Sequence, residues 1–291
     1  MIRTSSSIEV RTNPSRQPKR DWSTWVSQTV LIVVCLLFLI PFLWLVLSSL
    51  KTPQELFTSP PTWIPHVWDF SNYTRAFTAF PFLLYLKNTL ILVFFNILGA
   101  LVSNTFVAYG FARIQWKGRN VVFVIVLATM MLPFQVTMIP LYILFSRLHW
   151  IGTLLPLIVP MFFGNAFYIF LLRQFFMGIP KELSEAARVD GASELFIFSR
   201  IVLPLSKAVL TTVAIFTFIT TWGDFLGPLI YLNNNQLYTL SLGIQQIMSA
   251  NDPRWNLLMA VGAAMTVPVI ILFFFMQKQF IQGITFGGVK E

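Results

Sequence analysis

Charge is what this chain has least of. Only 11% of its 291 residues are Asp, Glu, Lys or Arg, whereas a soluble domain carries about 25%, so a water-facing surface cannot be covered and a single-domain soluble enzyme is excluded. Cysteine is nearly absent as well: Cys35 stands alone, which excludes an intrachain disulfide and a cysteine-rich metal centre. The two histidines, His66 and His149, have no clustered acids around them, so neither a metal site nor an integral-membrane hydrolase built on imidazole has its material. No G-x-x-x-x-G-K-[ST] segment occurs, so the chain lacks the loop that cradles nucleotide phosphates.

Long apolar runs fill the space that charge leaves. Trp22–Leu50, Asn88–Ala112, Asn120–Ser146, Leu148–Leu172 and Trp255–Gln277 contain no charged residue, and Ala208–Leu232 is interrupted only by Asp224. Each is long enough to cross a hydrocarbon core of about 30 Å as a helix of about 20 residues. The expected architecture is an all-α integral membrane protein with six transmembrane helices at about 25–50, 88–112, 121–145, 151–173, 207–231 and 256–278. Residues 1–24 read as a polar, basic tail with little reason to fold. The apolar run after it is too long for a cleavable signal peptide and lacks a small-residue cleavage site, so it reads as a retained first span. The high aromatic count fits lipid-facing Phe and interfacial Trp and carries no substrate information.

With these spans, Lys and Arg divide unevenly. Fifteen of the twenty fall in the N-terminal tail, in the 113–119 and 173–207 connections and after the last span; only Lys51, Arg75, Lys87, Arg147 and Arg254 lie opposite. The positive-inside rule then puts both termini in the cytoplasm, and the net charge of +9 reports topology rather than nucleic-acid binding. The outer connection, 51–87, holds five prolines with Trp63 and Trp68; it is expected to lie against the outer surface, either as a plain connector or as a docking segment.

The inner connection is the informative one. Pro180 suits a helix start, Glu182 and Glu185 fall where the helix dipole favours acids, and Gly191 suits a helix end. At 100° per residue Leu183, Ala186 and Ala187 share one face while Glu185 and Arg188 point away. After Gly191, Leu195, Phe198, Val202 and Leu205 form an apolar stripe with Arg200 roughly opposite. That is the pattern of a helix lying on the membrane surface before the chain re-enters at Pro204.

Glu185-Ala186-Ala187, Gly191, Ile201 and Leu203-Pro204 resemble the EAA loop of ABC importer permeases at every spaced position. The resemblance extends from about residue 70 to the C-terminus, through Asn72-Tyr73-Thr74-Arg75-Ala76-Phe77, Asn88-Thr89, Ala108-Tyr109-Gly110-Phe111-Ala112-Arg113, Pro133-Phe134-Gln135, Ile139-Pro140-Leu141-Tyr142, Leu171-Leu172-Arg173-Gln174-Phe175-Phe176 and Trp222-Gly223-Asp224-Phe225. These segments are similar to the carbohydrate-uptake, MalG-like branch. The family often has Asn where Gly223 stands and Gly where Phe134 stands.

The resemblance implies a type I importer permease fold with a cytoplasmic amphipathic coupling helix, divided as tail 1–24, first span 25–50, extracytoplasmic loop 51–87, permease core 88–278 with its EAA loop at 182–204, and tail 279–291. It implies a cytoplasmic (inner) membrane location, a second MalF-like permease, two ATPase subunits and an extracytoplasmic sugar-binding protein. This chain would hold no cofactor, ATP and Mg being bound by the partner ATPase, and would not be an enzyme itself. Alternating access would be driven through the loop, with Glu185, Ala186, Ala187, Arg188, Asp190 and Gly191 at the ATPase-coupling surface.

Polar residues inside spans are candidates for a pathway or gate. Asp224 is the only acid there, about 24 Å along its span at 1.5 Å per residue; Gly223, Gly227 and Pro228 beside it suggest a broken helix whose backbone it satisfies. Asn104, Gln135 and Asn165 are alternatives as pathway residues or as interhelical hydrogen-bond partners. Other readings stay within reach: a different ABC uptake branch taking phosphate, glycerol 3-phosphate, amino acids or polyamines, or a secondary transporter, which calls for inverted repeats and embedded ionisable pairs that are not seen here.

Overall fold

The computed structural model describes residues 22–249 and 254–285; the expectations for the N-terminal tail as far as Asp21 and for residues 286–291 lie outside the described residues. Among the described residues all regular structure is helical. The chain forms two compact units, one ending at Trp44 and one running from Leu45 onward.

The N-terminal unit is the greater part of α1 (Trp22–Ser49). Its uninterrupted apolar sequence leaves helix as the form that satisfies every backbone group without water, and Leu36, Leu37 and Phe38 are all exposed.

The second unit begins with the short helices α2 (Pro53–Leu56) and α3 (Ser71–Thr78), then the 31-residue α4 (Phe82–Ala112). α5 (Arg119–Thr129) and α6 (Phe134–Arg147) follow, then α7 (Leu155–Ile158), a 3-10 turn over Val159–Phe163, and α8 (Ala166–Gly178). α9 (Lys181–Val189) and α10 (Glu194–Ile197) lead through a π turn at Phe198–Val202 into α11 (Leu203–Leu205). α12 (Lys207–Trp222), α13 (Leu226–Tyr231), α14 (Leu240–Met248) and α15 (Trp255–Thr285) complete it.

α4 is the spine of this unit, packed against α8 and α12, while α15 packs on α12 and α3. In lipid, helix association depends on close packing and hydrogen bonds rather than on exclusion of water, and the spine is built accordingly. Ala100 and Ala108 are fully buried beside Leu172, Phe176 and Val213. A Cβ on Gly99 would come within 2.8 Å of the Phe162 ring, so glycine is what lets the 3-10 turn approach. A second cluster joins Phe80, Tyr85, Trp222, Leu240 and Leu257.

Four segments are individually long and apolar enough to cross a bilayer, and six if each of two bent pairs is one span. The expected continuous span 121–145 is α5 and α6 set at 96° to each other. α5 ends at Thr129 and tails off through tight turns to Leu132, Pro133 stands in extended conformation before α6, and Pro140 is accommodated inside α6. The run at 151–173 is interrupted at Gly164, whose φ is +94°, and restarts at Asn165, whose side chain accepts hydrogen bonds from the N–H groups of Phe167 and Tyr168 (3.0 and 3.3 Å). The run at 207–231 breaks after Trp222 and resumes as α13. Between the segment Glu194–Leu205 and α12 the chain bends by 77°, the geometry expected of a surface helix turning into a span.

Two of the quoted sequence segments tie distant parts together. Asn72, fully buried, donates to the carbonyls of Ser49 and Lys51 (2.9 and 2.8 Å) and accepts from the Asn256 amide at 2.7 Å, joining the end of α1, α3 and the start of α15. Asn88 donates to the carbonyls of Gln236 and Tyr238 (2.8 and 3.0 Å), and Thr89 Oγ1 accepts from Leu240 N (3.0 Å), which clamps the connection before α14 onto α4.

Candidate functional site

α9 is a nine-residue helix with a well-made end. The N–H of Gly191 reaches the carbonyl of Arg188 (3.0 Å) and that of Ala192 reaches Ala187 (2.9 Å), the paired bonds of a Schellman motif. The motif needs left-handed backbone at Gly191, and its φ is +81°; a side chain there would meet open space, so the demand for glycine is conformational alone.

The helix turns one side to the protein and the other outward. Ser184 is buried and Ala187 packs on the core cluster of Ile197, Phe198 and Val202. Leu183, Ala186 and Val189, spaced three apart, lie exposed in one strip, Val189 at 89%, with Glu182 and Glu185 exposed beside it. The expected face of Leu183, Ala186 and Ala187 is therefore divided: Ala187 faces the core, and Glu185 shares the outward side with Ala186. Arg188 and Asp190 are also exposed.

Side chains without an assigned role in the sequence reading hold α9 in place. Glu194 accepts from Arg188 Nε through Oε1 (2.7 Å) and from Tyr109 Oη through Oε2 (2.7 Å), linking α9 to the end of α4. Arg113 donates to the carbonyl of Ile179 at 2.6 Å, just before the helix, and Arg173 donates to the carbonyl of Phe111 (3.3 Å) with its guanidinium 4.1 Å from the centre of the Phe123 ring. The Arg188 hydrogen bond, then that of Tyr109, holds the Glu194 carboxyl below its ordinary value, and the same contact raises Arg188. Tyr109, Arg113 and Arg173 all belong to quoted segments; Tyr109 and Arg113 anchor this loop, and Arg173 ties α8 to α4 and α5.

After Gly191 the apolar register departs from a plain helix. Ile197, Phe198 and Val202 are buried, while Leu195 and Leu205 are exposed at 64% and 51%. The π turn at Phe198–Val202 puts an extra residue into one turn, so the expected stripe of Leu195, Phe198, Val202 and Leu205 does not stay on one face.

The intramembrane candidates separate into two groups. Asn104 is fully buried, donating to the carbonyl of Ala100 (2.6 Å) and accepting from the backbone N–H of Asn165 (2.6 Å); with Asn165 capping α8, the two asparagines form one interhelical tie. Gln135 is exposed near the start of α6. Asp224 sits in the break between α12 and α13, where its Oδ1 accepts from Gly227 N at 3.1 Å. A Cβ on Gly227 would lie 2.5 Å from the other carboxylate oxygen, so glycine is what admits the carboxylate beneath α13.

The sequence pattern of the family described as binding-protein-dependent transport system inner membrane component matches residues 104–286, which includes α8, the whole anchored loop and α12 to α15. The chain belongs to that family. This inner membrane component is 37% identical over 264 residues to the arabinooligosaccharides transport system permease protein AraQ of Bacillus subtilis (strain 168), covering 89% of this chain and 93% of that protein. It is 31% identical over 265 residues to the lactose transport system permease protein LacG of Rhizobium radiobacter, covering 91% and 96%. Its fold is shared with a chain in the crystal structure of a bacterial ABC transporter involved in the import of the acidic polysaccharide alginate. There the TM-score is 0.78 at 23% identity, over 92% of this chain and 100% of that one. An all-helical, membrane-embedded permease is thus the established frame for the geometry above.

Proposed function

We propose that this permease is the sugar-translocating subunit of an ATP-driven importer and that the outward strip of α9 docks into a separate ATPase. The observation that carries the reading is the form of α9: small and apolar residues left exposed on a helix whose ends are fixed by Gly191 on one side and by the Arg113 hydrogen bond on the other. A small-residue face lets another backbone approach closely, and a helix anchored to α4 transmits displacement instead of flexing. Domain closure in the ATPase pair would move α9 and, through Glu194 and Tyr109, α4, shifting the permease between inward-facing and outward-facing states. A second permease would complete the pathway, and an extracytoplasmic binding protein would deliver the substrate. The charge bias supports placing α9 and both termini in the cytoplasm, and the relatives' names support a sugar as the transported class.

Affinity purification from native membranes tests the assembly: a second permease and a Walker-motif ATPase should be retained. Ala186→Arg should remove the ATPase from the purified complex and lower uptake at least tenfold, because a long cation then occupies the contact strip. Full ATPase retention with normal uptake in that variant excludes α9 as the docking surface.

A further inference from the structure

The outer segment between α1 and α3 turns its charged groups inward and its rings outward. Lys51 and Glu55 are 1% and 8% exposed. Lys51 Nζ donates to the carbonyl of Thr62, and Glu55 Oε1 accepts from the backbone N–H of His66 at 2.5 Å. Asp69 is ion-paired with Arg75, and its N–H donates to the carbonyl of Leu50 at 2.8 Å. These bonds fold the segment back onto the end of α1. Phe57, Trp63, Ile64, Val67, Trp68 and Phe70 are left 49–70% exposed, and no Asp, Glu, Lys or Arg occurs from Leu56 to Trp68.

Beside Phe57 a cleft of about 380 Å³ opens where α15 packs on α2 and α3, and Gln54, Phe57, Arg75, Arg254 and Trp255 are among its walls. Arg75 gives Nη2 to Asp69, Ser71 and Asn72, whereas Arg254 brings a positive charge that no carboxylate among the described residues meets. The rings of Phe57 and Trp255 are exposed beside these two cations. Trp255 opens the last span and α2 follows directly on the end of α1, so the cleft lies where two apolar helices leave the hydrocarbon. Exposed rings gathered in one segment mark an interaction surface, and Trp is the residue of the membrane–water boundary. A reversible protein contact is only about as apolar as ordinary surface, so a stretch without charge from Leu56 to Trp68 fits lipid better than a docking protein.

We propose that residues 53–70 form a fixed seat on the outer leaflet and that the cleft between α2 and α15 takes the phosphate of an anionic phospholipid. The exposed rings enter the boundary between headgroups and acyl chains, as the apolar face of an interfacial segment does, and Arg254 and Arg75 donate to the phosphate oxygens, the geometry for which guanidinium is suited. Because Lys51, Glu55 and Asp69 already hold the segment in shape, the seat is formed before any lipid arrives. The inference rests on the topology proposed above and adds a lipid of stated charge to it.

The test uses the complete importer in vesicles of phosphatidylcholine and phosphatidylglycerol at about four to one. In a Cys35→Ala background, which removes the only native thiol, nitroxide labels are placed at Ile64→Cys and Val67→Cys. They should collide with oxygen at least about threefold more often than with a water-soluble nickel chelate, with or without the binding protein. Native mass spectrometry of the extracted complex should count one phosphatidylglycerol fewer in Arg254→Gln than in the parent. Labels open to the nickel chelate overturn the seat, and an unchanged lipid count overturns the phosphate site. Labels shielded from the chelate only after the binding protein is added overturn the proposal in favour of a docking segment. Labels shielded from both reagents overturn it in favour of a contact with a partner permease. Asn235→Cys, exposed in the connection before α14, tests the topology separately and should react with an impermeant maleimide added outside spheroplasts. Reaction only after the cells are opened overturns the topology and the leaflet together, whereas reaction from outside with failed label measurements overturns the seat alone. Should Arg254→Gln fail to assemble, the two labels decide alone.

Discussion

The α9 surface and a cleft lined by Asn96 and Tyr231 are assembled in opposite ways. The first is made from consecutive residues, Lys181 to Gly191, whose order fixes helix and cap, while the core behind them decides which residues stay exposed. The second draws on α4, α6, α12 and α13, and no two of its polar groups with unmet bonds lie close in sequence. A surface offered to another protein can be kept as a linear unit and anchored at its ends. A cleft inside a helix bundle is distributed: here α6 supplies Phe134, Leu141 and Phe145, α12 Thr220 and Thr221, α13 Leu226, Gly227 and Tyr231, and α4 Asn96. The proposed role of α9 predicts that changes there act on assembly, whereas changes in the cleft should act on the packing of the helices that line it.

The sharpest way to break that contrast is at Gly191. Valine there must adopt left-handed backbone, at a cost of about 1–2 kcal/mol, so Gly191→Val should reduce ATPase retention on purification by about tenfold. Asparagine tolerates that conformation, and Gly191→Asn should stay within twofold of the parent. Equal losses in both would show that contact at this position, rather than backbone form, is what matters.

A smaller effect is expected from the link between α9 and α4. Tyr109→Phe and Glu194→Gln should each lower sugar-stimulated ATP turnover about threefold, and the double variant should be no worse than the poorer single one, since both remove the same connection. Additive losses would mean that Tyr109 and Glu194 act separately.

The smallest effect concerns pH. The Glu194 carboxyl is held below its ordinary value by Arg188 and Tyr109, so it contributes fully above the usual carboxylate pKa of about 4.3 and is lost only as pH falls through the lowered value. The ratio of parent to Glu194→Gln turnover should stay flat between pH 5 and 8. A slope in that window would show that the network titrates at a different group.

Much of the fold was legible because membrane helices announce themselves by what they exclude. The charge-free windows locate all the long apolar segments, and α4 begins earlier than its window, at Phe82 rather than Asn88, only because Lys87 is exposed on its surface and interrupts the count without interrupting the helix. Breaks were harder. Pro133 signals a kink, but a turn of 96° depends on what α5 and α6 pack against, which no local pattern encodes. The π turn at Phe198–Val202 is invisible to periodicity because it changes the period itself. Helix α9 and its glycine end could be read from spacing, although the division of its small-residue face between Ala187 and Ala186 could not, since that needs the position of the core behind it. Among in-span polar residues, type alone cannot separate Asn104, whose bonds are complete, from Asn96, whose oxygen is free; only the neighbours supplied by distant segments do so.

The Asn72 tie has a consequence for how the protein is made. Its amide is fully buried and holds the end of α1 beside α3, yet the Asn256 side chain that completes it belongs to the first turn of α15. During synthesis this joint stays open until the final membrane helix leaves the ribosome, long after the helices around α4 have had time to pair. The order of synthesis therefore makes this joint in two steps: the bonds of Asn72 to Ser49, Lys51 and Arg75 lie within the first third of the chain, and the one from Asn256 is added only when α15 is in place.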